Sequence, residues 1–256
     1  MHVTDSIEPM DGGTFARLFT AQYAAFADDL PLWVGLAHEF GGPILEIGCG
    51  AGRVVRALAR AGFEATGIDT NPAMLLRAHA EITGEEGKRI HLIEQDVRHL
   101  GLDTRFGLIL APCNTLSALA DTELAQALGR VRDHLRPNGL LAFEVPGPGE
   151  QAIDDDGDEP VAAFFDPETG RPIQVYAAQQ AGPDGERVVV TWRYDELYPD
   201  ATVRSWRLPV TYYLRRPEAY ARLLARAGFG APAFLGDYDR RRLAAGDTRM
   251  IVLASK

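Results

Sequence analysis

The stretch ILEIGCGAGR, Ile44 to Arg53, decides the fold of this chain. A short apolar run is followed by three glycines, Gly48, Gly50 and Gly52, and then by RVVRALARAG, which has the spacing of an amphipathic helix. A strand, a tight turn and a helix in this order let a ligand approach backbone that carries no side chains. The spacing is G-x-G-x-G, whereas the dinucleotide fingerprint G-x-G-x-x-G would place its third glycine where the chain has Arg53.

The composition is typical of a soluble globular protein, with 46% hydrophobic and 24% charged residues. Its 256 residues suit one α/β domain, or one domain with an insertion. A formal net charge of −10 argues against a nucleic-acid partner, because binding to a phosphate backbone depends on clustered Lys and Arg. No apolar run approaches the roughly 18 residues of a membrane span, and the N-terminus MHVTDSIEPMDGG lacks the basic start and apolar core of a secretory signal. Cys49 and Cys113 form no metal-ligand pattern, so we expect a cytoplasmic protein with no metal and no membrane partner.

Strands and helices alternate in the part of the chain that follows Pro43. Asn71 caps one helix, with Pro72 in its first turn, and Asp121 caps another, which RPNG at 136–139 closes. This β-α-β-α order predicts a doubly wound, mostly parallel sheet with its ligand site at the carboxyl ends of the strands. The predicted strands are 44–47, 65–68, 90–96, 107–113, 140–146, 231–239 and 248–255, and the predicted helices are 53–60, 71–82, 121–135 and 216–229.

The alternating pattern breaks after residue 146. Residues 147–170 form a loop rich in Pro, Gly and acidic residues, and a period of two then runs through 171–180, 186–198 and 201–214. The turn signals between these segments are GPDG and YPDA. We therefore predict an antiparallel β meander inserted into the α/β domain.

Three carboxylates stand in or at the ends of the predicted strands. Asp69 lies 21 residues after Gly48, where a carboxylate can accept hydrogen bonds from both hydroxyls of a ribose or instead cap the next helix. Asp96 can meet an adenine edge or begin a turn. Glu46 lies inside the first strand and needs a partner if it is buried, either a ligand or a backbone amide.

The segments LEIGCGAGR, GIDTNPAML, EQDVRHL, FGLILAPCNTLSAL and LRPNGLLAFEVP, in this order and spacing, resemble the class I S-adenosylmethionine-dependent methyltransferases. The resemblance covers roughly residues 43–146, and the helix and two strands after 216 fit the closing β-hairpin of that family. It implies a seven-stranded Rossmann-like methyltransferase fold with S-adenosyl-L-methionine as cofactor. It also implies methyl transfer to a nitrogen or oxygen atom of a small-molecule acceptor. In this interpretation the glycine turn holds the methionine part of the cofactor and not a pyrophosphate.

The resemblance also implies a set of cofactor contacts. Glu46 lies near the amino-acid end of the cofactor, Asp69 holds the ribose hydroxyls and Asp96 contacts the adenine. Met74 either lies close to the adenine or fills the core. The segment from Ala111 to Asn114 borders the methyl group and the acceptor. The complete set implied for the cofactor is Glu46, Gly48, Cys49, Gly50, Gly52, Arg53, Asp69, Thr70, Met74, Asp96, Val97 and Ala111.

No catalytic base follows from the resemblance. Glycine-type N-methyltransferases carry a segment that resembles G-N-S-x-x-H-L, and here the aligned residues are CNTLSAL, with Asn114 matching and Ala118 in place of the His. Asn114 either orients the acceptor or holds the turn. Tyr23 either faces the acceptor or packs its helix against the core. Asn114 and Tyr23 are the two candidate catalytic residues.

The predicted organisation has four parts. Residues 1–42 have helical spacing that restarts at Pro31 and form an N-terminal helical lid, and 43–146 form the cofactor-binding core. Residues 147–215 hold the inserted loop and meander, which is either an acceptor lid or the interface of a homodimer. Residues 216–256 complete the core with a helix and a β-hairpin.

Three other functions stay open at this stage. Cytosine-C5 methyltransferases also place a Pro-Cys in the loop that here contains Cys113 and use the thiolate as a nucleophile, but the acidic chain favours a small buried cysteine. A nicotinamide-dependent oxidoreductase is disfavoured by Arg53 at the position of the third glycine. The third alternative is a methyltransferase-like module that binds the cofactor without turnover.

Overall fold

A computed structural model describes residues 7–157, 159–183 and 185–256. The chain divides into two compact units. The α/β unit comprises Ala27–Glu150 and Leu214–Lys256, and the strand-rich unit comprises the described parts of Met1–Phe26 and Gln151–Tyr213. The first N-terminal helix falls in the strand-rich unit and the second in the α/β unit, and a lid formed by residues 1–42 stays a prediction.

The helices and strands are numbered in chain order across both units. They are β1 (Ile7–Pro9), α1 (Gly12–Gln22), α2 (Leu30–Phe40), β2 (Ile44–Ile47), α3 (Arg53–Arg60), β3 (Ala65–Asp69), α4 (Pro72–Glu81), β4 (Ile90–Glu94), β5 (Phe106–Ala111), α5 (Asp121–His134), β6 (Leu135–Pro146), β7 (Pro160–Phe165), β8 (Pro172–Ala181), β9 (Arg187–Leu197), β10 (Val203–Tyr213), α6 (Pro217–Arg226), β11 (Ala233–Leu235) and β12 (Arg249–Ser255).

The α/β unit is built on a seven-stranded sheet with the order β11-β12-β6-β5-β2-β3-β4. The five strands β2 to β6 run parallel, and β12 pairs antiparallel with both β6 and β11. This confirms the predicted doubly wound, mostly parallel sheet with its closing hairpin. The strand order reverses between β2 and β5, and open α/β sheets bind ligands at the carboxyl ends of the strands at such a switch point.

The centre of this sheet is covered on both faces. Every residue of β2 and β5 is buried, as expected for parallel strands that lie between two layers of helices. The apolar side chains form two core clusters, one that includes Phe143 and Tyr220 and one that includes Trp33 and Leu58. The polar groups at the carboxyl edge of β2 and β5 therefore stand on a rigid support.

Two predicted helix boundaries in the α/β unit are wrong. Asp121 does not cap α5, because the N-cap is Ala120 and Asp121 is the first helical residue. The Glu123 side chain accepts the Ala120 N–H at 3.0 Å, and its negative charge suits the helix N-terminus. RPNG does not close the helix either, because Arg136–Gly139 are part of β6, at an irregularity where Asn138 has a φ of 61°. The cap at Asn71 is confirmed, since its side chain accepts the Ala73 N–H at 3.0 Å.

The strand-rich unit contains a five-stranded sheet with the order β1-β10-β9-β8-β7. The predicted antiparallel meander is confirmed as β8, β9 and β10. Two further strands were not predicted. The apolar run of β7 lies within the stretch predicted to be a loop, and the short β1 pairs in parallel with β10. Leu18 of α1 packs with Ile173, Val175 and Tyr194 to form the core of this unit.

No helix in the described ranges is long and apolar enough to cross a bilayer. The longest of those helices, α5, has 14 residues.

Candidate functional site

The glycine turn joins β2 to α3 at the carboxyl edge of the α/β sheet. Gly48 has a φ of +70°, and a Cβ on it would lie 2.6 Å from the Thr115 side chain, so the loop after β5 packs directly on the turn. Gly50 has a φ of +52°, and the nearest atom to a Cβ on it would be the Met74 sulfur at 3.9 Å. Close packing therefore leaves no room for a side chain at Gly48. At Gly50 the space where a side chain would stand is open to the approach of a ligand.

Asp69, at the end of β3, is bonded to the glycine turn. Its Oδ2 accepts the Gly50 N–H at 2.8 Å, and its Oδ1 accepts the Asn71 N–H at 2.8 Å. The cap of α4 is Asn71. A carboxylate has about four lone-pair sites, so Asp69 can also accept hydrogen bonds from two hydroxyl groups of a ligand.

Glu46 is buried and has a backbone partner. Its Oε2 accepts the Val55 N–H at 2.9 Å, so the carboxyl group caps α3, which has only Gly52 at its N-cap. Burial raises the pKa of Glu46 well above its ordinary value, and the nearby charge of Arg53 opposes this rise. The sequence left either a ligand or a backbone amide as the partner of a buried Glu46, and the structure supplies a backbone amide, that of Val55.

Arg53, which follows the glycine turn, forms a bidentate pair with a residue that the sequence did not single out. Its two terminal nitrogens lie 2.5 and 2.7 Å from the carboxylate of Asp29, which is fully buried and also accepts the indole N–H of Trp33 at 2.8 Å. Burial opposes the charge of Arg53, but the hydrogen bond to Asp29 raises its pKa above the ordinary value. The pair joins the start of α2 to the glycine turn.

Asp96 faces a cation in this structure. Its carboxylate accepts the Arg98 backbone N–H at 2.8 Å and the Arg98 Nε at 2.9 Å, and these hydrogen bonds lower its pKa. Asp96 thus begins a short 3-10 turn, which is one of the two roles that the sequence allowed for it.

Among the other predicted cofactor residues, Thr70 is exposed, whereas Cys49, Met74, Val97 and Ala111 are buried. Met74 belongs to the buried face of α4.

The loop after β5 has an unusual backbone. Cys113 and Asn114 both have positive φ angles, 54° and 61°, a conformation that non-glycine residues seldom adopt. The Cys113 N–H donates to Glu144 Oε2 at 3.1 Å. The side-chain oxygen of Asn114 is buried and accepts no hydrogen bond from the part of the chain that the structure describes.

Glu144 is the centre of a polar cluster that sequence reasoning missed. Its Oε1 accepts the Tyr238 hydroxyl at 3.0 Å and the Arg249 Nε at 3.0 Å, and Arg249 also donates to Asp237 at 2.9 Å. Burial, and then the Glu144 carboxylate, raise the pKa of Tyr238. The available signal was the carboxylate within the apolar run AFEVP, the same signal that drew attention to Glu46.

Cys113 is exposed, so the expectation of a small buried cysteine is wrong, although many protein atoms surround its thiol. Desolvation, and then the Glu144 carboxylate, raise the pKa of Cys113 to about 12. Arg53 lies 3.6 Å from its sulfur. A thiol with this pKa is protonated at neutral pH, and the thiolate is the nucleophilic form, so the environment does not favour attack on a base.

Tyr23 lies at the C-terminal end of α1 in the strand-rich unit. Its ring is 4.6 Å from that of Phe19 and 6.4 Å from that of Phe26. Tyr23 is half-buried, and its role as an acceptor-facing residue stays a prediction.

Comparisons with known proteins agree on one family. Residues 44–139 match the family model described as a methyltransferase domain. The chain is similar to the putative methyltransferase YqeM of Bacillus subtilis, with 31% identity over 120 residues, 46% of this chain and 48% of that protein. The chain spans about half or less of the length of the curated relatives it matches.

Solved structures share the fold over nearly the whole chain. The sugar N-methyltransferase KedS8 of Streptoalloteichus has a TM-score of 0.76 at 20% identity, over 100% of this chain and 98% of that one. The CcbJ methyltransferase of Streptomyces caelestis has a TM-score of 0.74 at 19% identity, over 90% of this chain and 96% of that one.

Proposed function

Because the α/β unit belongs to the class I S-adenosylmethionine-dependent methyltransferases, we propose that this protein transfers a methyl group from S-adenosyl-L-methionine to a nitrogen or oxygen atom of a small molecule. One observation carries the proposal: the open side of Gly50 lies next to a carboxylate, Asp69, which is already bonded to the Gly50 N–H. The residues present fit this cofactor, because its ribose hydroxyls need an acceptor and its methionine part needs bare backbone.

The protein's contribution to the reaction is mainly one of position. When bound, S-adenosyl-L-methionine supplies a methyl group on a sulfonium, which is electrophilic without any help from an acid. Asp69 would hold the ribose, the glycine turn would hold the amino-acid part, and the loop that contains Asn114 would border the acceptor. An enzyme that fixes an acceptor lone pair in line with the methyl carbon in a water-poor site gains most of the rate from proximity and desolvation.

The structural neighbours include the sugar N-methyltransferase KedS8 and the amino pentose methyltransferase CalS10, which supports a small-molecule acceptor. The role of residues 147–215 as an acceptor lid or as a dimer interface stays a prediction from the sequence. So do the cytoplasmic location, the homodimer, and the absence of nucleic-acid and membrane partners.

Calorimetric titration tests the proposal directly. The purified protein should bind both S-adenosyl-L-methionine and S-adenosyl-L-homocysteine and should not bind NADH. Asp69→Ala should weaken both affinities by about tenfold or more, because one or two hydrogen bonds to a charged group are lost. Asp103→Ala, which removes an exposed carboxylate of the same unit, should leave them unchanged. Tight NADH binding, or no binding of either ligand by the folded protein, would overturn the proposed function.

A further inference from the structure

Asp69 and Asp96 stand at the ends of neighbouring strands, but their carboxylates differ in how many hydrogen bonds they already accept. Asp69 accepts two from the described residues, donated by the backbone N–H groups of Gly50 and Asn71. A carboxylate has about four lone-pair sites, so two sites of Asp69 are left for the hydroxyls of a ribose. For Asp96, which the resemblance assigns to the adenine, the same count leaves none.

Arg98 covers the Asp96 carboxylate. Oδ1 of Asp96 accepts the Arg98 backbone N–H at 2.8 Å and the Nε–H at 3.0 Å, and Oδ2 accepts the Nε–H at 2.9 Å and a terminal N–H at 2.5 Å. Each oxygen therefore has two donor contacts, and all of them come from one residue. The amino group of a ligand is also a donor, so it would have to displace the guanidinium before it could bond to Asp96.

The helix α5 holds Arg98 in this position. The remaining terminal nitrogen of Arg98 donates to the Glu123 carboxylate in the first turn of α5. Gln126, three residues further along the helix, donates its side-chain amide to the Arg98 carbonyl at 2.9 Å. Hydrogen bonds between ionised groups are among the strong ones in proteins. Moving the guanidinium away from Asp96 would therefore cost bonds to two carboxylates.

The base of the proposed cofactor would lie next to this pair. β2, β3 and β4 are neighbours in the parallel part of the sheet, so their carboxyl ends lie side by side. The glycine turn follows β2, Asp69 ends β3, and Asp96 follows β4. The Gln95 N–H donates to the Asp69 carbonyl at 3.0 Å, which brings the ends of β3 and β4 together. A cofactor with its amino-acid part on the glycine turn and its ribose on Asp69 would extend its base toward Asp96.

We propose that Arg98 keeps the Asp96 carboxylate occupied, so that the base end of the site binds the purine ring without reading its 6-amino group. The inference rests on the proposed methyltransferase function. Arg98 then sets the base specificity of the site, and Asp96 serves to hold Arg98 and not to bind the cofactor. Removing the amino group from the ligand leaves no protein acceptor unpaired, so it costs the complex little.

Two ligands that differ only in the amino group test this directly. They are S-adenosyl-L-homocysteine and its 6-deamino analogue, in which unsubstituted purine replaces adenine. Calorimetry gives the ratio of their dissociation constants within a single protein, so any general loss of cofactor affinity cancels. We expect the analogue to bind the wild-type protein no more than about threefold more weakly than S-adenosyl-L-homocysteine does.

Substitution of Arg98 should create the discrimination that the wild-type protein lacks. Arg98→Ala frees the Asp96 carboxylate to accept the 6-amino group, so removal of that group should then weaken binding about tenfold or more. The double substitution of Asp96→Ala with Arg98→Ala removes the freed carboxylate and should return the ratio to its wild-type value. Arg222→Ala removes an exposed arginine of α6 and is the matched control, which should leave the ratio unchanged.

Glu123→Gln is a milder variant in case Arg98→Ala folds poorly. Glutamine keeps a carbonyl for the Ala120 N–H, which Glu123 accepts at 3.0 Å, but it carries no charge to hold the guanidinium. The ratio should therefore rise above its wild-type value. Melting followed by circular dichroism shows whether each variant is folded, and the wild-type ratio needs no variant at all.

Two outcomes of these titrations would overturn the inference. One is a wild-type ratio above about threefold, which would mean that the site reads the amino group. The other is a ratio in folded Arg98→Ala that stays at the wild-type value, because the freed carboxylate would then not face the base. A folded wild-type protein that binds neither ligand would instead overturn the proposed function, so the two failures are distinguishable.

Discussion

Two buried glutamates at the carboxyl edge of the sheet show how much a single residue depends on its partners. Glu144 accepts hydrogen bonds from Cys113, Tyr238 and Arg249. Glu46 accepts one from the Val55 backbone, and burial raises its pKa. A buried carboxyl group with so few donors is costly to ionise, so Glu46 caps α3 at the expense of stability at high pH.

Glu46→Gln should make the protein more stable at alkaline pH. The pKa of Glu46 is raised in the folded state. Its contribution to stability is therefore fully present below the pKa that it has in the unfolded state, and is lost as pH rises through the pKa that it has in the folded state. Each unit of pKa rise corresponds to about 1.4 kcal/mol of unfolding free energy. Glutamine keeps a carbonyl for the Val55 N–H and carries no charge.

Calorimetric melting between about pH 5 and pH 9 checks this, because that interval lies above the ordinary glutamate pKa. The gain in melting temperature of Glu46→Gln should grow as pH rises. Glu94→Gln, which neutralises an exposed glutamate at the end of β4, is the control. A difference between Glu46→Gln and wild type that is the same at every pH would contradict the expectation.

At the scale of secondary-structure elements, the sequence was informative wherever the pattern is local. The spacing of the three glycines and the apolar periodicity around them predicted β2 and α3 with their observed bounds. The strand β7 was missed because its six residues follow a run rich in proline, glycine and acidic residues, which favours a loop. The strand β1 has three residues, and only its distant partner β10 makes it a strand.

The candidate site divides in the same way. Asp69 and the glycines could be found because the order of strand, turn and helix fixes their spacing. In the Glu144 cluster, Tyr238 lies 94 positions and Arg249 lies 105 positions along the chain from Glu144. The Arg53–Asp29 pair spans 24 positions. Contacts of this length depend on which strands are neighbours, and no local pattern carries that information.

The helix α1 shows how one side chain can tie an element to its sheet. Arg17 is ion-paired with Asp166 and with Glu196, and both carboxylates are fully buried. Arg171 also contacts Glu196 at 3.0 Å. Burial opposes the ionisation of Asp166, but hydrogen bonds from its turn and the charge of Arg17 lower its pKa overall.

Arg17→Met should destabilise the strand-rich unit by about 3–5 kcal/mol, because removing one partner leaves buried charge uncompensated. Urea denaturation followed by tryptophan fluorescence is suitable, since Trp192 and Trp206 pack against the core of this unit. Lys88→Met breaks the exposed pair with Glu85 and should cost no more than about 1 kcal/mol. Equal effects of the two substitutions would show that the buried ion pairs do not stabilise α1 on its sheet.

At the scale of the whole molecule, the charge is acidic and several arginines are paired with carboxylates. The formal net charge is −10, and Arg53, Arg98, Arg241 and Arg249 each contact at least one carboxylate. A polyanion would have to displace these carboxylates before it could use the guanidinium groups. This arrangement opposes the one alternative function that needs a nucleic acid, attack on a cytosine by Cys113.

We expect no measurable binding of DNA or RNA at low salt. Any dissociation constant should be weaker than about 10⁻⁴ M, which is the weak end of the range for non-specific binding. Fluorescence anisotropy with labelled single-stranded and double-stranded oligonucleotides measures this, with and without S-adenosyl-L-homocysteine. A basic DNA-binding protein provides the positive control. Micromolar affinity that falls steeply with added salt would contradict the expectation, because it would require a cluster of basic side chains facing the phosphates. In that case Cys113→Ser becomes decisive: loss of methyl transfer with nucleic-acid binding intact would make the thiol a nucleophile, whereas retained transfer would leave it a neutral neighbour of Glu144.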